Sequence, residues 1–66
     1  MTNEELSRIK EDDVIYDDSA ELAYNVIKVY KSGILTYLKW TNPYGRFAEN
    51  KFFKNEELLC KDIMLM

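Results

Sequence analysis

The feature that most constrains this chain is a pair of breaker-free runs, ILTYLKWT at residues 34–41 and RFAENKFF at residues 46–53, separated by Asn42-Pro43-Tyr44-Gly45. Asn can bond back to its own backbone, Pro presets φ, and Gly permits a left-handed exit, so these four residues form a tight turn. Both runs are rich in the β-branched and aromatic residues that suit a pleated, half-buried surface. The pattern predicts a hairpin from Ile34 to Phe53. Its first strand carries Ile34, Thr36, Leu38 and Trp40 on one face and Leu35, Tyr37, Lys39 and Thr41 on the other. Apolar residues on both faces imply that the second face is covered by another element or by a partner.

The stretch before the hairpin, residues 19–32, supports two readings. As a helix, Ser19 caps it, Gly33 ends it, and Leu22, Ala23, Val26, Ile27 and Tyr30 form an apolar stripe opposite Glu21, Asn25, Lys28 and Lys31. As a strand, Tyr24 to Lys31 is β-branched and aromatic, with Ile27 and Val29 alternating with Lys28. Lys31-Ser32-Gly33-Ile34 is then a tight turn in which Gly33 supplies a positive φ. Local pattern alone leans to the helix. The strand reading is adopted because the Gly33 turn then joins two strands of matched length. The other outcome is an α+β fold with helix 19–32 packed on the 34–53 hairpin.

The flanks are simpler. Thr2-Asn3-Glu4-Glu5-Leu6 has a cap residue followed by acids and predicts a helix of about two turns, with Leu6 and Ile9 on its inner side. Val14-Ile15-Tyr16 predicts a short strand ended by Asp17-Asp18-Ser19, and Asn55-Glu56-Glu57-Leu58 a helical turn before a last segment at 59–66.

With 66 residues the chain is expected to be a single domain (1–66), near the lower limit at which one core stabilises a fold. Cys60 is the only cysteine and there is no histidine, which excludes an intrachain disulfide and an ordinary Cys/His zinc site. Oligomerisation is the staple that remains open, and a homo-oligomer is a possible state. No apolar run approaches the roughly 20 residues of a membrane helix, and the N-terminus is acidic, unlike a signal peptide. These features, with a lone cysteine, predict a cytoplasmic protein, in the host cytoplasm if the gene is viral.

In order, these elements are a short helix, a short strand, two longer strands, a Pro/Gly turn into a fourth, a helical turn and a final strand. Asp13-Val14-Ile15-Tyr16, Tyr24 to Val29, Leu38-Lys39-Trp40, Gly45-Arg46-Phe47 and Glu56-Glu57-Leu58 together resemble the layout of an SH3-like barrel of the Tudor and KOW type. The resemblance implies a mainly β fold, a small five-stranded barrel with a short N-terminal helix. Asp12 stands where such barrels often have Gly before the first strand. In size and composition the chain is also similar to small accessory proteins of bacteriophages.

The chain offers no catalytic constellation. Without histidine there is no base for a nucleophile, and Cys60 in its apolar context reads as a buried packing residue. The acids at Glu11, Asp12, Asp13, Asp17 and Asp18 lack the spacing of a calcium loop, and two glycines do not build a phosphate loop. Neither an enzyme nor a cofactor or metal site is expected. What stands out is charge placement: residues 24–54 hold eight of the nine aromatics and carry +5, between flanks of −6 and −2. Tyr24, Tyr30, Phe47, Phe52 and Phe53 are assigned to a small core, and Tyr37, Trp40 and Tyr44 to stacking, with Lys39, Arg46 and Lys51 as phosphate donors. This predicts a non-catalytic protein that sequesters a small nucleotide or short single strand, a counter-defence type protein in a viral setting. The overall charge of −3 argues against long duplex DNA. The other class is a protein–protein inhibitor docking an acidic face, through Asp12, Asp13, Asp17 and Asp18, on a basic host protein.

Overall fold

The computed structural model describes residues 1–38 and 50–66. Within them lie helix α1 (Asn3–Arg8), strands β1 (Val14–Asp17), β2 (Leu22–Tyr30), β3 (Gly33–Leu38) and β4 (Asn50–Lys54), helix α2 (Asn55–Leu58) and strand β5 (Ile63–Leu65). The strands form one antiparallel sheet in the order β4-β3-β2-β1-β5. The mainly β class, the five strands and the short N-terminal helix are as the sequence predicts. The helix at 19–32 is not formed: β2 pairs with β1 on one side and β3 on the other. Two hydrogen-bonded neighbours outweigh a helical stripe that would have buried Ile27 and Tyr30, both of which are exposed. The Asn42–Gly45 turn, Phe47 and the outer halves of the predicted hairpin lie outside the described residues.

The expected closed barrel is an open sheet. No pairing of β5 with β4 is present among the described residues. The end of the sheet at β5 is instead satisfied locally. Ile63 N–H donates to Cys60 O at 3.1 Å, and its carbonyl accepts from the α-ammonium of Met1 at 2.6 Å. The same ammonium donates to Leu58 O and Cys60 O at 2.8 and 2.7 Å, which ties the start of α1 to the turn after α2. Thr2 begins α1 with a reciprocal cap: Glu5 N–H donates to Thr2 Oγ1, and Thr2 N–H donates to the Glu5 carboxylate.

The core lies on one face. Ile15 from β1, Val26 from β2, Ile34 and Thr36 from β3, Phe53 from β4 and Leu58 from α2 are almost fully enclosed. Met1, Ile9 and Ile63 close its end. Tyr24 and Phe53 meet edge to face, with centroids 5.1 Å apart. Thr36 is the buried polar residue in this group, and its hydroxyl donates to Lys51 O at 2.9 Å, so it is not left unsatisfied. Cys60 is exposed, contrary to the packing role expected of it: it follows α2 on the turn to β5, where its carbonyl accepts from the Met1 ammonium and from Ile63 N–H.

Two details of β2 and its turns decide which side chains share the outer face. First, Val26 pairs with Thr36 and Lys28 with Leu35, so Ile27 is an extra residue, a β-bulge. The bulge inverts the alternation, and Lys28 and Tyr30 join Asn25 on the face away from the core. Second, β2 and β3 are joined by Lys31-Ser32, and Gly33 is the first residue of β3 rather than the residue that turns the chain. Its small size serves close approach. A Cβ there would collide with Phe53 O and stand 2.9 Å from Phe52 Cζ. Left-handed backbone occurs elsewhere, at Asp12 (φ 73°) and Glu21 (φ 56°).

Candidate functional site

The outer face of β2, β3 and β4 can be written as three cross-strand rows from the register. Asn25, Tyr37 and Asn50 make the first; Lys28, Leu35 and Phe52 the second; Tyr30, Gly33 and Lys54 the third. No carboxylate falls on these positions. Three rings do, and all are exposed: Tyr30 at 44%, Phe52 at 40% and Tyr37 at 36%. Single surface aromatics need no explanation, but three sharing one sheet face do.

The rings are held in two groups. Tyr30 and Phe52 lie with centroids 6.0 Å apart at 59°, brought together across Gly33, where the missing Cβ admits the Phe52 ring. Lys28 Nζ stands 5.4 Å from the Tyr30 centroid, a cation–π distance. At the other end, Asn25 Nδ2 donates to Tyr37 Oη at 2.7 Å and fixes the hydroxyl. Asn25 Oδ1 is enclosed without a partner. The face therefore combines flat apolar surface, an amide pair and positive charge, which suits a planar, anionic ligand better than a polar or cationic one.

Of the residues singled out from sequence, Lys39, Trp40, Tyr44 and Arg46 lie outside the described residues. Tyr37 and Lys51 are not brought together: adjacent register pairs, Tyr37↔Asn50 and Thr36↔Lys51, put them on opposite faces. Lys51 lies at the edge of the core, its Nζ 4.6 Å from the Phe53 centroid and 5.9 Å from that of Tyr24. There it lines a shallow cavity of ≈290 Å³ with Asp17, Glu57 and Asp62. Three carboxylates around one lysine make an anion site of low merit. Conversely, Tyr30 and Phe52, assigned to the core from sequence, are on the outer face, whereas Tyr24 and Phe53 are buried as expected. The signal that separates them is strand alternation, Phe52 out and Phe53 in; it was legible for β4 but masked in β2 by the bulge.

The acidic candidates form turns. Asp17 Oδ1 accepts from Ser19 N and Oγ and from Ala20 N, and Asp13 Oδ2 accepts from Lys10 N. Asp12 and Asp18 are exposed, with backbone N–H groups donating to Val26 O and Asp62 O. Among the described residues, no group of three or more Cys, Asp or Glu could hold a metal ion, and no helix is long and apolar enough to cross a membrane. Comparisons with protein-family models, curated proteins and solved structures give no match, so function is argued from residues and their placement alone.

Proposed function

We propose that this is a non-catalytic binding protein whose ligand is a nucleotide or a short single strand, held on the outer face of β2, β3 and β4. The observation that carries this reading is the placement of Tyr30, Phe52 and Tyr37 on one face with Lys28 and Lys54 and, among the described residues of these strands, without an acid. Base–aromatic stacking contributes roughly 1–3 kcal/mol per base and tolerates any base. Two lysines serve one or two phosphates. A net charge of −3 disfavours a long polyanion while leaving this local surface basic. Lys39, Trp40, Tyr44 and Arg46 follow β3 directly in the sequence and belong to the same proposal as further stacking and phosphate-binding groups.

The SH3-like layout is kept as part of the proposal. It is supported by the β1-to-β4 meander, the helical turn before β5, the return of β5 to β1, and the left-handed Asp12 where such barrels often carry Gly. The likeness in size and composition to small phage proteins supports a role in sequestering a host nucleotide signal in the cytoplasm, and a second copy over the face would enclose such a ligand. The acidic-face inhibitor has less behind it, because Asp13 and Asp17 already serve their own turns.

Native mass spectrometry with mononucleotides and short oligonucleotides tests the reading. Ligand retained at fixed stoichiometry by the wild type, and lost in Tyr30→Ala/Phe52→Ala with an unchanged far-UV spectrum, is the expected result. Retention by that variant, or no retention by the wild type across the panel, would sink it.

A further inference from the structure

Resting on that reading, we infer that the face takes at least three consecutive nucleotides of an extended, unstacked single strand, and that a lone nucleotide is an incomplete ligand. The argument is one of spacing. The two ring stations lie along β3, one at Tyr37 and the other over Gly33, where Phe52 meets Tyr30. Four steps of strand, from Gly33 to Tyr37, separate them, about 13 Å at the usual rise. Between them stands Leu35, half-buried and apolar, which gives an intermediate base a surface to lie on but no ring.

A stacked strand advances about 3.4 Å per nucleotide, so one that followed β3 would crowd some four bases between the stations and present edges rather than faces to the rings. For the first and third bases of a strand to lie on the two stations, each of the two links between them must span about 6.5 Å, roughly twice the stacked rise, which requires an extended, unstacked backbone. A base locked in a duplex cannot offer its face to either. Charge agrees with this assignment: Lys28 flanks the interval between the stations and Lys54 its far end, each within reach of the backbone of a strand lying along β3. One mononucleotide can occupy the Tyr30–Phe52 station and use Lys28, but it leaves Tyr37 unused.

The test is a length series of deoxyadenosine oligonucleotides from one to six residues, with a blunt hexamer duplex alongside, measured by fluorescence anisotropy competition at fixed salt. Affinity should rise at least about 10-fold between one and three nucleotides, as a second stacking station comes into use, and little thereafter, with the duplex far weaker. Tyr37→Ala should abolish the rise, so that the trimer binds that variant no more tightly than the mononucleotide does; Phe52→Ala should weaken every length. A mononucleotide that binds as tightly as the trimer, a rise that survives Tyr37→Ala, or a duplex that matches the single strand would each overturn the inference and leave the proposed function standing. Failure of every length to bind would overturn both.

Discussion

A missing side chain and a blocked one do much of the local work. The sequence pattern predicts Gly33 as the residue that turns the chain; in the fold it is where the β4 backbone approaches too closely for a side chain. Gly33→Ala would drive a methyl against Phe53 O and the Phe52 ring, so we expect a loss of about 1–3 kcal/mol, the usual range for overpacking, read as a lower urea midpoint at unchanged slope. The α-ammonium of Met1 donates to three carbonyls in a largely enclosed place. Acetylating it removes the charge and leaves acceptors unmet, at a cost of about 2 kcal/mol or more, visible as a lower thermal midpoint. A midpoint equal to that of the unmodified chain would show that the cradle contributes nothing. Glu5 gives the pH prediction. The backbone N–H of Thr2, and then its side chain, hold the Glu5 carboxyl below its ordinary value. A depressed acid contributes fully above its unfolded pKa and loses that contribution as pH falls through the folded one. The Thr2 amide resonance should therefore titrate with a midpoint below the usual glutamate range, and Glu5→Gln should remove that transition.

At the scale of elements, β2 is the decisive strand, because its bulge chooses which residues meet solvent. Before Ile27 the strand buries Tyr24 and Val26; after it, Lys28 and Tyr30 face outward beside Leu35 and Gly33. Because Ile27 is the extra residue, deleting it leaves Val26 opposite Thr36 and Lys28 opposite Leu35 in plain alternation, so Lys28 and Tyr30 stay on the outer face. The deletion should therefore fold and keep ligand binding. A folded deletion variant that loses binding would show that the local bend of the bulge, and not the register alone, shapes the face. The β1–β2 hairpin carries the opposite opportunity. Glu21 holds a left-handed backbone without being Gly or Asn, so Glu21→Gly should raise stability by up to about 1 kcal/mol, far from the proposed face and without effect on binding.

For the molecule as a whole, the margin is narrow. A 66-residue chain has room for one small core, and the largest fully enclosed side chain among the described residues is Phe53. Phe53→Ala, at about 3–5 kcal/mol for a buried phenylalanine, should leave the protein largely unfolded at 37 °C, whereas Phe52→Ala next to it should stay folded and lose only its surface role. That contrast, one position apart, measures how cleanly the two faces divide. Much of the architecture was present in local patterns: Thr2 and Glu5 announce α1, alternation separates Phe52 from Phe53, Asp17 and Ser19 end β1, and Asn55 to Leu58 mark α2. Such signals depend on neighbours two to four residues away and are written into the order of side chains. The identity of 19–32 was not, because its helical stripe and its strand character were nearly balanced, and pairing with β1 and β3 tipped it. Nor was the site: Tyr30 and Lys28 reach the outer face through a bulge whose cause is a register between strands, Lys51 is drawn to the core edge by the Tyr24 and Phe53 rings, and Gly33 is required by a strand that arrives 20 residues later in the chain. Residue order sets which groups can turn, cap or alternate; which face they occupy together is a property of packing between segments distant in sequence.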